Sequence, residues 1–226
     1  MGTRHRRHRR TRFRRRMRLY TRVGTFLLVV LMLFLIGMKL FEIGPFSEEY
    51  VERQDTQMHV DAPTIEVELL TVNAYSRPGT QTSKIKNIVV HYTANPGTTA
   101  KQNRDYFESL KDTKERKASS HFIVGLDGEI VQCVPTWEIA YASNNRNADT
   151  VSIETCHWEK DGAYTEQTYD SLVQLTAWLC EKFHLTEEDI IRHYDVTGKN
   201  CPKYFVENEK AWRDFKKDVG DTLEGN

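Results

Sequence analysis

An apolar run without charges near the amino terminus divides this chain into parts that cannot share one core. Residues 23–38 carry no charged side chain, and Arg22 and Lys39 flank them. Residues 1–22 contain eleven Arg and neither Asp nor Glu. A helix buried in a globular core does not carry such a cluster of cations at one end. Residues 23–41 are therefore predicted to be one transmembrane helix, an uncleaved signal anchor, whose short length is offset by snorkelling of the flanking cations.

The distribution of positive charge predicts the orientation of this anchor. Because Arg and Lys are retained on the cytoplasmic side, residues 1–22 are expected inside the cell and everything after Lys39 outside it. The expected localisation is the cell membrane, in a single pass, with the lipid bilayer contacted through residues 23–41. Two alternatives stay open. A cleaved signal peptide needs small residues after the apolar run, where this chain has KLFEIGPF, and the Arg run alone could be a nucleic-acid-binding arm.

The rest of the chain has the composition of a folded acidic domain. Residues 23–226 contain 21 Lys and Arg against 32 Asp and Glu, which gives a net charge of −11. Such a domain repels phosphate, so no nucleic-acid partner is expected. Hydrophobic residues make up 39% of the chain and aromatic residues 11%, which excludes disorder throughout. Residues 42–62 are polar and acidic and are predicted to be an extracytoplasmic stalk, and residues 63–226 the folded domain.

Strand and helix patterns alternate along residues 63–226. This predicts an α/β fold with a mixed central β-sheet flanked by helices. Two apolar runs flank Asp127-Gly128 and indicate a β-hairpin. The predicted strands are TIEVELLTV, KNIVVHYTA, HFIVG, IVQCV, TVSIETC and DIIRH, and the predicted helices run from Thr98 or Thr99 to about Lys111, from Thr165 to Phe183 and from Glu209 to Val219.

Two of the predicted strands end alike, in IVVHY at 88–92 and IIRHY at 190–194. If these strands are parallel neighbours, His91 and His193 emerge at the rim of the sheet where α/β proteins bind ligands. Cys201 follows eight residues after His193, on a loop long enough to fold back. Two His and one Cys give zinc three protein ligands and leave one position for water, which is the arrangement of catalytic zinc sites.

Each of these residues has a simpler explanation when taken alone. A single His at a strand end is usually a hydrogen-bonded surface residue, and a Cys in an exported domain is usually half of a disulfide. Among the other cysteines, Cys133 and Cys156 lie on predicted strands and could pair, whereas Cys180 lies in an apolar helix stripe and is expected in the core. The sequence does not settle the connectivity.

Four ordered segments resemble a known family. IVVHYTA, SSHFIVGLDGEIVQCVP, NRNADTVSIETCHW and RHYDVTGKNCP are similar to motifs of the zinc-dependent N-acetylmuramoyl-L-alanine amidases, which are related to phage lysozyme-type amidases and peptidoglycan recognition proteins. The resemblance covers about residues 63–219. It implies a mixed central sheet packed by helices, with zinc in a surface groove. It also implies cleavage of the amide between the muramic acid lactyl group and L-alanine of the stem peptide.

The resemblance implies roles for five residues. His91, His193 and Cys201 match the ligands of one zinc ion per chain. Lys199 matches the lysine assigned to transition-state stabilisation, and Glu154 matches the acidic residue that activates water in many bacterial members. With these roles, zinc polarises the amide carbonyl, the carboxylate takes a proton from water and the lysine offsets charge on the oxyanion.

Other candidate residues carry weaker signals. Phage-type members have a Tyr where this chain has Ser120, which gives more weight to Glu154 as the base. His121 is predicted to bind substrate in the groove, with packing as its alternative. Four aromatic residues could line a groove for a glycopeptide, with core packing as the equal alternative: Tyr92, Trp137, Tyr141 and Trp158.

These observations predict a membrane-anchored peptidoglycan hydrolase, with its catalytic domain on the cell-wall side and peptidoglycan or muropeptides as its partner. The alternative is a non-catalytic peptidoglycan-binding module on the same fold, although binding-only relatives usually lack the zinc Cys. A hydrolase for another amide bond is a third reading. The oligomeric state is not predicted.

Overall fold

The computed structural model describes Tyr20, residues 24–36 and residues 59–225. Contacts divide the chain into two units, Met1–Gln57 and Met58–Asn226. In the first unit, residues 24–36 form a helix whose apolar side chains are exposed. Within the described ranges, no helix combines the length and the apolar character that a membrane crossing requires. The other residues of the predicted anchor, and most of the predicted stalk and cytoplasmic segment, lie outside the described residues.

The second unit is the predicted α/β domain, with a six-stranded mixed sheet in the order β1-β4-β3-β5-β2-β6. Every neighbouring pair is parallel except the β3–β4 hairpin. The strands are β1 Glu66–Val67, β2 Asn87–Tyr92, β3 Phe122–Val124, β4 Ile130–Gln132, β5 Thr150–Thr155 and β6 Ile190–Arg192. The helices are α1 Ala100–Thr113, α2 Glu166–Phe183, α3 His193–Thr197, α4 Lys203–Glu207 and α5 Glu209–Leu223, with 3₁₀ turns at Asn144–Arg146 and Glu187–Asp189.

Local sequence signals account for the boundaries of the longer elements. Thr99 caps α1 in a capping box with Gln102, and Thr165 caps α2 by accepting a hydrogen bond from the Thr168 backbone. The β3–β4 hairpin turns at Gly128, whose φ of 83° lies in the left-handed region that glycine adopts without strain. These helices and the hairpin confirm the predicted elements.

The sheet is buried on both faces, which explains why its strands read as nearly continuous apolar runs. Along β3, Phe122 and Val124 pack into one core with α2 and α5, whereas Ile123 packs into a second core with α1. Helices on both faces therefore hold the sheet rigidly. Because β2 lies between β5 and β6, the carboxyl ends of three parallel strands meet at one rim.

Two details differ from the sequence expectations, and a third, the state of the cysteines, is one that the sequence left open. His193 does not end a strand, because the Asp195 carboxylate accepts the Arg192 backbone N–H at 2.8 Å and caps α3, which starts at His193. The last residues of the predicted stalk, from position 59 onward, belong to the domain, since Val60 is buried in the core. All four cysteines are free thiols, so no disulfide is present.

Candidate metal centre and catalytic cavity

The two histidines and the cysteine predicted as metal ligands come together at the rim of the sheet. β2 and β6 are parallel neighbours, which is the condition under which both histidines reach this rim. The candidate ligand atoms of His91, His193 and Cys201 all lie within 4.8 Å of one another. Sγ of Cys201 lies 3.9 Å from Nδ1 of His91, and the two imidazole centroids are 4.7 Å apart. Tetrahedral zinc holds such ligands about 3.3–3.6 Å apart, so small movements suffice to close the site.

The segment from Tyr194 to Cys201 folds back and brings the thiol of Cys201 close to the histidines. After α3, Gly198 adopts a φ of 76°, and its backbone N–H donates to the Tyr194 carbonyl at 2.7 Å. The Tyr194 backbone N–H in turn donates to the Cys201 carbonyl at 2.9 Å. Backbone hydrogen bonds therefore hold the loop at both ends, which places the thiol beside the rings.

Polar contacts at Nε2 orient both imidazole rings, and Nδ1 of His91 faces the cysteine. Nε2 of His193 donates to Oδ1 of Asn144 at 2.9 Å, and Nε2 of His91 lies 3.4 Å from Oγ of Ser143. The proton on Nε2 leaves Nδ1 of His193 with a free lone pair, and this nitrogen is buried without a hydrogen-bond partner. A buried nitrogen lone pair beside a second imidazole and a thiol is what a zinc site requires.

The protonation states suit metal binding. Burial, followed by the neighbouring His193 and Lys199, holds the pKa of His91 well below its ordinary value. Burial and Lys199 also lower the pKa of His193, so both rings are neutral at pH 7. Burial raises the pKa of the Cys201 thiol to about 12, against a backbone hydrogen bond from Tyr92. A metal ion must therefore displace the thiol proton, and binding is coupled to proton release.

Glu154 lies beside the candidate ligands. It is paired with His91 in the register of β2 and β5. Its side chain opens onto the cavity, but its Oε2 atom is buried and has no hydrogen-bond partner. Burial raises the pKa of this carboxyl to about 8, and the charge of Lys199 acts in the opposite direction. The carboxyl group is thus poised to exchange a proton near neutral pH.

A cavity of about 530 Å³ connects these groups. Tyr92 and Lys199 line it, together with Glu154 and the three candidate ligands. The volume lies in the range of sites that enclose a small ligand. The five candidate metal and catalytic residues and one predicted substrate-binding residue therefore share one cavity.

Two residues predicted to bind substrate do not reach this cavity. His121 is buried in the sheet, where its ring nitrogens lie 2.9 Å from Ser152 Oγ and 2.9 Å from the Glu138 carbonyl. Both nitrogens are occupied, so this residue packs and links β3 to its neighbours. Trp137 is 65% exposed and lies outside the cavity lining. Ser120, at the position of the phage-type Tyr, is buried, and its hydroxyl oxygen lies 2.9 Å from the carbonyl oxygens of Phe122 and Ser152, one of which accepts its proton.

Sequence reasoning missed several residues that shape the site. Ser143 and Asn144, which orient the imidazoles, lie in a polar loop without periodicity, and only the φ of 53° at Asn144 marks the position as unusual. Tyr141, in contrast, is one of the aromatic residues that the sequence offered for a groove, and it lines the cavity from the start of the same loop. His157, which follows β5, is buried and stacks on Tyr92 with centroids 5.2 Å apart.

Residues 81–204 match the sequence family described as N-acetylmuramoyl-L-alanine amidase, and this region is more than half of the chain. The chain belongs to the N-acetylmuramoyl-L-alanine amidase family. The family is zinc-dependent. The matched region contains all five residues predicted to hold zinc or to act in catalysis, from His91 to Cys201.

Named relatives agree with this membership. The chain is 39% identical over 168 residues to N-acetylmuramoyl-L-alanine amidase CwlL of Bacillus licheniformis, a match that covers 69% of this chain and 46% of the relative. It is 34% identical over 177 residues to N-acetylmuramoyl-L-alanine amidase BlyA of Bacillus subtilis (strain 168), covering 69% and 47%. The chain thus spans just under half the length of these curated relatives.

A solved structure shares the fold of this amidase-family chain. A mutant endolysin from Bacillus subtilis superposes with a TM-score of 0.60 at 27% identity, and the match covers 70% of this chain and all of that one. The α/β domain is therefore the part of the chain that carries the likeness.

Proposed function

We propose that the chain is a zinc-dependent N-acetylmuramoyl-L-alanine amidase that cleaves the amide between the muramic acid lactyl group and L-alanine of the peptidoglycan stem peptide. The observation that carries this proposal is the convergence of His91, His193 and Cys201 within 4.8 Å, in the same cavity as Glu154 and Lys199. This donor set leaves a fourth position open, as hydrolytic zinc sites do.

Each protein group has a definite task in the reaction. Bound zinc supplies a Lewis acid that polarises the carbonyl and acidifies water. Glu154 takes a proton from the attacking water and later passes it to the leaving nitrogen, because its carboxyl lies in the cavity with a pKa near neutrality. Lys199 places positive charge where the carbonyl oxygen becomes negative. Asn144 keeps His193 in the ligating tautomer, and Ser143 orients the ring of His91.

We further propose that residues 23–41 anchor the protein in the cell membrane in a single pass, with residues 1–22 in the cytoplasm and the domain on the cell-wall side. The support is the uncharged run between Arg22 and Lys39, with eleven Arg before it.

A muropeptide-release assay tests the hydrolytic proposal. The full-length protein loaded with zinc is expected to release stem peptides that begin with L-alanine, as identified by mass spectrometry. Lys199→Ala is expected to lose about 10²–10³ in kcat, because it removes one donor to the oxyanion. Lys84→Ala, an exposed lysine outside the cavity, is the matched control and is expected to retain wild-type activity.

Three results would contradict the proposal in different ways. Binding of muropeptides without turnover by the zinc-loaded protein would indicate a recognition module. Turnover at a bond other than the lactyl–alanine amide would indicate a different hydrolase. Full activity after complete chelation, or in His193→Ala, would remove the metal from the mechanism.

A further inference from the structure

The cavity is positively charged although the domain around it is acidic. Residues 59–225 contain 19 Lys and Arg against 27 Asp and Glu, which gives a net charge of −8. The cavity lining contains three cations, Arg116, Lys117 and Lys199, and a single carboxyl, Glu154. Three cations outnumber one carboxyl whether or not that carboxyl is ionised, so the cavity presents an excess of positive charge to its ligand.

Two of these cations lie on the segment that follows α1, and that segment is fixed. The Ala118 backbone N–H donates to the Tyr75 carbonyl at 3.1 Å. Ser119 pairs with Tyr141 twice, through its backbone N–H at 3.2 Å and its hydroxyl at 2.9 Å. Lys117 places its ammonium group 5.2 Å from the centroid of the Tyr141 ring. The basic pair, defined as Arg116 and Lys117, is therefore held on the wall of the cavity.

The basic pair and the metal centre share one wall. Tyr141, which carries Lys117 over its ring, lies two residues before Ser143. Ser143 contacts Nε2 of His91 in the metal centre. A peptide whose scissile amide lies at the metal centre can thus extend along the cavity toward the basic pair.

None of the cavity cations is neutralised by the protein itself. Within residues 59–225, no ion pair involves Arg116, Lys117 or Lys199, whereas Arg77 and Arg192 pair with carboxylates. Exposed cations in an acidic domain have many potential partners, so their absence here leaves these charges available to a ligand. A guanidinium beside an ammonium is suited to a carboxylate, because Arg can bind both of its oxygens.

We propose that Arg116 and Lys117 bind a free carboxylate of the stem peptide and make the enzyme selective for stem peptides with free rather than amidated carboxylates. The inference rests on the proposed function and specifies its substrate class. An amidated side chain carries no negative charge and offers one acceptor oxygen, so it cannot replace the bidentate, charge-assisted contact.

The test compares two synthetic muramoyl peptides that differ only in whether the stem-peptide carboxylates are free or amidated. Full-length wild-type protein is expected to cleave the free form with a kcat/KM at least tenfold higher. Arg116→Ala/Lys117→Ala is expected to bring this ratio below threefold, because its kcat/KM falls more on the free form than on the amidated form. Lys84→Ala/Lys160→Ala removes two exposed charges outside the cavity and is expected to keep the wild-type ratio.

The outcomes separate this inference from the proposed function. Equal cleavage of both substrates by wild type, or an unchanged ratio in the Arg116→Ala/Lys117→Ala variant, overturns the selectivity and leaves the amidase activity standing. If wild type cleaves neither substrate, the proposed function fails. Calorimetric titration then decides the inference, with two stem peptides that lack muramic acid, one with free and one with amidated carboxylates. A tenfold tighter dissociation constant for the free-carboxylate peptide, lost in the double variant, supports it, and equal constants overturn it.

Discussion

At the scale of single residues, Glu154 carries the clearest tension between stability and chemistry. Its Oε2 atom is buried without a hydrogen-bond partner, and burial raises its pKa to about 8. A buried, unpaired carboxylate costs free energy, so the folded protein without metal favours the protonated form. The positive charges of Lys199 and of a bound zinc ion both lower this cost. The catalytic form of Glu154 is therefore stabilised by the groups with which it is proposed to act.

The raised pKa of Glu154 predicts how the stability of the metal-free protein depends on pH. An unfolded Glu loses its proton near pH 4.5, whereas folded Glu154 keeps it until about pH 8. Between these values the native state binds more protons, so the Glu154 contribution to stability falls as the pH rises, by at most about 1.4 kcal/mol per pH unit. Glu154→Gln removes this contribution. The unfolding free energy of Glu154→Gln minus that of wild type should therefore increase steadily from pH 5 to pH 8, as measured by chemical denaturation of chelator-treated protein. Parallel pH profiles for the two proteins would contradict the buried position of the carboxyl.

The sequence indicated the candidate metal ligands but not the residues that orient them. His91 and His193 could be found because each follows a similar run, IVV or IIR, and is followed by Tyr. Cys201 could be found because it comes eight residues after His193, on a loop long enough to fold back. Ser143 and Asn144 act through hydrogen bonds across sequence separations of 52 and 49 residues, and a polar loop gives no indication of such contacts.

At the scale of elements, strong local signals gave the correct structure. Asp127-Gly128 between two apolar runs predicted the hairpin, and threonine caps predicted where α1 and α2 begin. Prediction failed where a tertiary contact decides. His121 reads like a residue at the mouth of a groove, but Ser152 and the Glu138 carbonyl hold it inside the sheet. The start of α3 depends on the side chain of Asp195, which competes with continuation of the strand.

The start of the domain is also an element-scale question, because residues 59–62 read as the end of a stalk. The Glu181 carboxylate accepts the backbone N–H groups of His59 and Val60 at 2.7 and 2.8 Å, and the Val60 side chain is 4% exposed. Val60→Ala should therefore lower the unfolding free energy by about 2 kcal/mol. Val72→Ala, at an exposed loop position, is the matched control and should stay within about 0.5 kcal/mol of wild type. If both substitutions change the unfolding free energy equally in urea denaturation, residues 59–62 belong to the stalk and not to the domain.

At the scale of the whole molecule, the zero net charge is the sum of two segments of opposite charge. Residues 1–22 hold eleven of the 32 Lys and Arg and no acid, and the remainder has a net charge of −11. A single folded domain gains nothing from such a separation, whereas a chain that crosses a membrane uses it to fix its direction. An acidic domain tied to a membrane also reaches only the substrate within the length of its stalk. The proposed anchor would thus restrict hydrolysis to a layer next to the membrane.

The anchor makes a prediction that fractionation of bacterial cells can check. Full-length protein should stay in the membrane pellet after high-salt and alkaline washes, since an apolar span holds it by the hydrophobic effect rather than by its Arg cluster. Leu31→Arg/Leu33→Arg should release it from the pellet, because each central Arg costs about 3 kcal/mol on insertion, whereas Leu31→Ala/Leu33→Ala should remain membrane-bound.

Protease added to protoplasts should degrade the domain and spare the Arg-rich segment. A shortened chain in the medium would establish the cleaved signal peptide instead, and release of full-length protein by salt alone would show that only the Arg cluster contacts the membrane.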